Sequence, residues 1–157
     1  MREHLYQTAL KWTGNKGQGT KSYVAYDRAY KIEVNRKPAI LGSSDPAFRG
    51  DRTKYNPEEL FVASLSSCHM LWYLHLCAEA GVIVTDYQDR ATGKMSETKD
   101  GSGKFIEVIL QPKVTVASRS SVDKARQLHY KAHEFCFIAN SVNFLVLCQP
   151  SITQAVE

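Results

Sequence analysis

The chain has 157 residues, 43% hydrophobic and 23% charged, with four cysteines and a formal net charge of +4. That length suits one domain spanning residues 1–157 with a core of its own, and four cysteines do not make a disulfide-stapled miniprotein. Residues 1–55 carry 11 Lys/Arg against 5 Asp/Glu, and residues 56–157 carry 9 against 11. The basic residues are scattered among acids, with no cationic block and no helix-turn-helix or zinc-finger pattern, so nucleic acid is not expected as a partner. The first residues, Met1-Arg-Glu-His-Leu-Tyr-Gln-Thr, lack the apolar run of a secretory signal, and a cytoplasmic protein with reduced thiols is expected.

Taken in chain order, Tyr6 to Trp12 is a short strand candidate, followed by the turn formers Gly14-Asn-Lys-Gly-Gln-Gly19. From Tyr23 to Val34, Tyr26, Tyr30, Ile32 and Val34 alternate at period two, with Arg28 interrupting the apolar face. That interruption means either a slipped register or an inward cation. Pro38 to Arg52 reads as a strand end and a long loop. Asn56-Pro-Glu-Glu59 then marks a helix start, with Asn56 as N-cap and Pro57 at N1. The helix is predicted to run to about Ala80, with Gly81 as its stop. Residues 60–78 carry no formal charge, which raises the question of a membrane span. Its serines, its histidines and the acids that flank it favour a helix buried in a soluble assembly instead, so no membrane partner is expected. Val82–Met95 and Lys104–Ala117 form a predicted hairpin around Lys99-Asp-Gly-Ser-Gly103. A second helix starts near Ser120, with Asp123 at N3 and Val122, Ala125, His129, Ala132 and Cys136 on one face. Asn143–Ile152 closes the chain as a strand, which makes an α+β domain.

Cys68 lies mid-way along the first helix and Cys136 on the apolar face of the second. Both types of position are common for cysteines that serve only as small core residues. Two cysteines on the inner faces of two helices are also placed to meet as a redox pair. Cys68 is three turns from its helix start, where the dipole gives a thiolate little support. A nucleophile there needs a cation, which the loop Phe48-Arg-Gly-Asp-Arg52 offers, and Glu58 in the first turn is placed to aim such an arginine.

The segment Asn56-Pro-Glu-Glu-Leu-Phe61, with Ala63 and Cys68, resembles the first-cysteine helix of the OsmC/Ohr family. These are the osmotically inducible and organic hydroperoxide resistance proteins. His133-Glu-Phe-Cys136-Phe-Ile-Ala-Asn-Ser-Val142 is similar to the second-cysteine segment of OsmC-like members. The resemblance implies an OsmC-like fold, with antiparallel sheets wrapped around two central helices in an intertwined homodimer. It implies a thiol peroxidase for organic hydroperoxides, with Cys68 peroxidatic, Cys136 resolving and Glu58 orienting an arginine. Arg49 fits that arginine best and Arg52 next; Ohr-type proteins place theirs in the early glycine-rich turn, where this chain has Lys16. Cys68 would become a sulfenic acid, Cys136 would close a disulfide on it, and an external dithiol, by resemblance a lipoyl-type one, would restore both thiols. Neither metal nor organic cofactor enters that scheme. Phe137 stands where the family often has proline, and Cys77 and Cys148 are additional thiols, read as core or surface residues.

Three other readings compete. A cysteine hydrolase needs a histidine base, for which His69, His75 and His133 are the candidates. His129, His133 and Cys136 have helical i, i+4 and i+7 spacing that suits a metal, although no Cys-x-x-Cys accompanies them. A non-catalytic dimer of the same fold, binding an apolar ligand between its helices, is the third.

Overall fold

A computed structural model describes residues 2–156. The chain divides into two compact units, one through Leu60 and one from Phe61 onward. The first unit holds β1 (Ala9–Trp12), β2 (Tyr30–Glu33) and β3 (Ile40–Gly42), joined as an antiparallel sheet in that order. The period-two stretch from Tyr23 yields a strand only from Tyr30, and Arg28 is the reason. Its guanidinium lies over the rings of Tyr23 and Tyr26, 4.2 and 4.3 Å from their centroids. It also donates to the carbonyls of Tyr23 and Tyr26 at 2.6 and 2.7 Å, taking up acceptors that a strand ladder would use. Gly42 sits opposite Tyr30, where an added Cβ would come within 2.2 Å of the phenol ring.

Helix α1 (Pro57–Glu79) starts in the first unit and continues into the second. Its start is a reciprocal capping box: Glu59 N–H donates to Asn56 Oδ1 at 2.8 Å and Asn56 N–H donates to Glu59 Oε2 at 3.1 Å. It ends in a Schellman arrangement, with Val82 N–H on the Cys77 carbonyl at 2.9 Å and Gly81 at φ 71°. Both boundaries agree with the sequence reading within a residue.

The second unit contains β4 (Val84–Asp89), β5 (Thr92–Glu97), β6 (Gly103–Leu110), β7 (Pro112–Val116), α2 (Val122–Phe135), β8 (Leu145–Cys148) and β9 (Ser151–Gln154). The expected hairpin is present, but it is bent into two sheets of order β4-β7-β9 and β5-β6-β8. Asp89 opposite Pro112 and Thr92 opposite Ile109 continue one antiparallel register across the bend. At the bend the Asp89 carboxylate accepts from Gln111 N–H at 2.7 Å and from the Ser66 hydroxyl of α1. The closing strand is likewise broken, at Gln149-Pro150, because proline lacks the N–H that a ladder requires. Its two parts pair parallel with β6 and β7, Glu107 with Leu145 and Lys113 with Ser151, at the same offset of 38 residues. The sheets of this unit are therefore mixed, and the expectation of purely antiparallel sheets holds for the first unit only.

The second helix begins one residue later than expected. Ser121 is its N-cap, accepting from Lys124 N–H at 3.2 Å, whereas Ser120 is drawn away to accept from Ile83 N–H at 3.0 Å. Asp123 consequently sits at N2. Cys136 is the C-cap and leaves the helical face that its spacing implied, because the chain turns extended there at ψ 107°. Two apolar clusters fill the unit. Tyr73, Leu76, Cys77, Val114, Val116, Ala125 and Ala132 belong to one; Leu65, Val108, Leu110 and Val146 belong to the other.

Candidate active site

Cys68 is half-buried on α1 and lines an open apolar depression of about 390 Å³ with Leu71, Trp72, His75 and Phe137. Trp72 organises the aromatic wall, with its ring centroid 5.5 Å from Phe137 and 5.1 Å from Phe135. The residue that replaces the family's frequent proline is thus part of the wall beside Cys68. Cys136 is fully buried and its Sγ accepts from Ala139 N–H at 3.5 Å. Burial pushes its thiol up to about 11, opposed by the Ala139 N–H and reinforced by the neighbouring Cys68 side chain. Both sulfurs are free thiols.

The other predicted site residues lie in the first unit. Arg49 caps a short 3-10 helix (Pro46–Phe48) in the left-handed conformation, φ 63°, and its guanidinium lies 5.9 Å from the Tyr23 centroid. It lines a polar depression of about 280 Å³ with Asp27, Arg28, Asp51 and Lys54. Gly50 is required there, because a Cβ would fall 1.5 Å from the Ser44 carbonyl oxygen. Glu58 faces Tyr30, whose phenol is pushed up by burial and then by the carboxylate's charge. Glu58 Oε2 is buried without a hydrogen-bond partner. Among the described residues no lysine or arginine forms an ion pair with Glu58, and Lys16 pairs with Asp27 at 3.1 Å.

Two of the three hydrolase candidates are engaged elsewhere. His75 pairs with Glu79 at 3.4 Å, and His69 is buried with Nε2 3.0 Å from His129 Nδ1. Among the described residues no imidazole is hydrogen-bonded to Cys68. Of the spare thiols, Cys77 is buried in the core and pushed up by that burial. Cys148 lies 3.5 Å from His69 Nε2 and 3.8 Å from His129 Nδ1. Burial, and then the charge of Asp89, pushes it up to about 12. This trio escaped the sequence reading because its members stand on α1, α2 and β8, with no local spacing linking them. The only signal was that His129 shares the apolar stripe of α2.

The OsmC-like protein family model matches residues 50–146. An OsmC-like protein of unknown function from Vibrio cholerae is 32% identical, with 96% of this chain and 100% of that one covered and a TM-score of 0.84. The organic hydroperoxide resistance protein OsmC of Legionella pneumophila is 20% identical over 96% of this chain and 99% of that one, TM-score 0.67. An organic hydroperoxide resistance protein of Elizabethkingia anophelis, solved with thiocyanate bound, is 17% identical over 98% and 100%, TM-score 0.68. No curated protein gives a significant match. The family match, the Vibrio relative and the α+β arrangement of α1 and α2 with three small sheets agree: the chain belongs to the OsmC-like protein family.

Proposed function

We propose that this protein is a two-cysteine thiol peroxidase that reduces organic hydroperoxides. The observation that supports the reading is a half-buried Cys68 open to an apolar depression, with a buried, protonated Cys136 as its neighbour. The names of the Legionella and Elizabethkingia relatives agree with it. The Cys68 thiolate attacks the distal peroxide oxygen; the O–O bond breaks, the alcohol leaves after taking up a proton, and Cys68 becomes a sulfenic acid. Cys136 then attacks that sulfur, releasing water and forming the Cys68–Cys136 disulfide. An external dithiol of the lipoyl type takes the oxidation in exchange and returns both thiols. An aromatic and aliphatic wall favours an alkyl or aryl tail over hydrogen peroxide. The reaction itself requires no cofactor, and we place it in the cytoplasm.

Arg49 is our choice for the cation that supports the Cys68 thiolate, with Glu58 aiming it; the buried, unpartnered Glu58 Oε2 is suited to a guanidinium. Arg49→Ala is expected to slow alkylation of Cys68 at neutral pH by about tenfold or more, the effect of losing one nearby opposite charge. Arg52→Ala or Lys16→Ala showing that loss instead would move the role. We also propose a homodimer. Its support is the apolar surface a single chain leaves open, including Leu71 on α1 and Leu10, Trp12 and Leu41 in the first unit.

The test is to treat the reduced protein with a small excess of an alkyl hydroperoxide and map the products by mass spectrometry. A Cys68–Cys136 disulfide is expected, formed faster than with hydrogen peroxide. Because Cys136 is held as a thiol up to about pH 11, closure is expected to quicken by up to about tenfold per pH unit above 7. Unmodified thiols, or oxidation scattered over Cys77 and Cys148, would leave a ligand-binding member of the fold.

A further inference from the structure

His69, His129 and Cys148 bring one donor atom each from α1, α2 and β8 to within 4.8 Å of one another. The two histidines are essentially inaccessible, 0% and 2% exposed, and burial holds them neutral, down to about 4 and about 3, so each keeps a lone pair. Along α1, His69 lies between Leu65 of one apolar cluster and Tyr73 of the other. The Tyr73 ring stacks on His129, centroids 3.8 Å apart, and fixes its plane. Their outer nitrogens, His69 Nδ1 and His129 Nε2, are buried without partners. Two neutral imidazoles and a protonated thiol satisfy one another poorly in such a place, since an N–H···N bond leaves most of their capacity unused.

The spacing fits a metal better. A tetrahedral zinc ion at about 2.0–2.1 Å from nitrogen and 2.3 Å from sulfur separates its ligands by about 3.3 Å for N–N and 3.6 Å for N–S. The observed distances are 3.0 Å between the nitrogens and 3.5 and 3.8 Å to the sulfur. A cavity of about 310 Å³ lined by His129, His133, Glu134 and Cys148 reaches the cluster.

We propose that His69 Nε2, His129 Nδ1 and Cys148 Sγ bind one thiophilic divalent ion of the zinc class, with its fourth position toward that cavity. Binding breaks the Cys148 S–H bond and sends the proton to solvent through the cavity. The proton shared between the two imidazoles moves to an outer nitrogen, so no histidine changes charge. The outer N–H groups have no acceptor, so affinity is expected to fall about 10–100-fold below that of a zinc centre whose histidines are so supported. The site is separate from the Cys68–Cys136 pair and does not depend on the peroxidase reading.

The reduced full-length protein is titrated with Co²⁺ as a spectroscopic probe and with Zn²⁺. One equivalent is expected, with a thiolate-to-cobalt band in the near ultraviolet that Cys68→Ser retains and Cys148→Ser loses. X-ray absorption of the zinc-loaded wild type is expected to give one sulfur at about 2.3 Å and two imidazole nitrogens at about 2.0–2.1 Å. That measurement stands even if Cys148→Ser folds poorly. No band in the wild type, a band that survives in Cys148→Ser, or a zinc shell with two sulfurs or none overturns the proposal.

Discussion

Replacing Cys68 by serine is expected to abolish dithiol-dependent turnover of an alkyl hydroperoxide, a loss on the order of 10³-fold or more for removal of a covalent nucleophile. Cys136 cannot substitute, because its thiol is buried and stays protonated at neutral pH. Cys136→Ser separates the two roles. It is expected to complete the first oxidation and then to stall, with Cys68 accumulating as sulfenic and, under excess peroxide, sulfinic acid visible by mass. Turnover that survives in Cys68→Ser would falsify the assignment, and a Cys136→Ser enzyme cycling normally with a dithiol would remove the resolving role.

The second large effect concerns stability. Leu110 is 1% exposed, stands opposite Cys148 in the β6–β8 pair and packs with Leu65, Val108 and Val146. Leu110→Ala is expected to cost about 2–5 kcal/mol, through lost apolar burial and the cavity left behind. Urea unfolding should show a lower midpoint with an unchanged slope. Leu71, 63% exposed on α1, is the control. Leu71→Ala should be nearly silent in an isolated chain, and a large, concentration-dependent cost would report burial by a second copy. A Leu110→Ala change below about 1 kcal/mol would mean that this cluster is not the packed core described here.

Much of this arrangement could be read from the residues because the signals were local. Asn56, Pro57 and Glu59 fix the start of α1 within one turn, and Gly81 fixes its end, so both boundaries followed from caps alone. The hairpin followed from two β-rich segments around Asp100-Gly101. Where side-chain contacts overrode the local pattern, the reading was incomplete. Arg28 satisfies carbonyls that a strand would have paired, so the alternation from Tyr23 stays largely irregular. Ser120 is claimed by Ile83, which shifts the cap of α2. The helical spacing of Cys136 also continued one residue past the last turn of the helix, an ambiguity that spacing alone does not resolve. Parallel pairing of β8 and β9 left no mark in their sequences, because partners on the same strand face look alike in either direction. The buried His69–His129 contact was the least visible, joining residues 60 positions apart.

The two-part closing strand also bears on how the polypeptide reaches its native state. β6 and β7 are the central strands of their sheets, and each finds its second neighbour 38 residues downstream, beyond α2. Until residues 145–154 have left the ribosome, one edge of each central strand is unpaired, and Val108, Leu110, Val114 and Val116 lack part of their cover. Pairings of this separation are entropically late, because the intervening loop must close before any ladder bond forms. The shared offset means that docking β8 sets the register of β9, so the two halves add as a single zipper. Nascent chains paused before residue 145 are therefore the species most in need of a chaperone, and the most prone to join edge to edge.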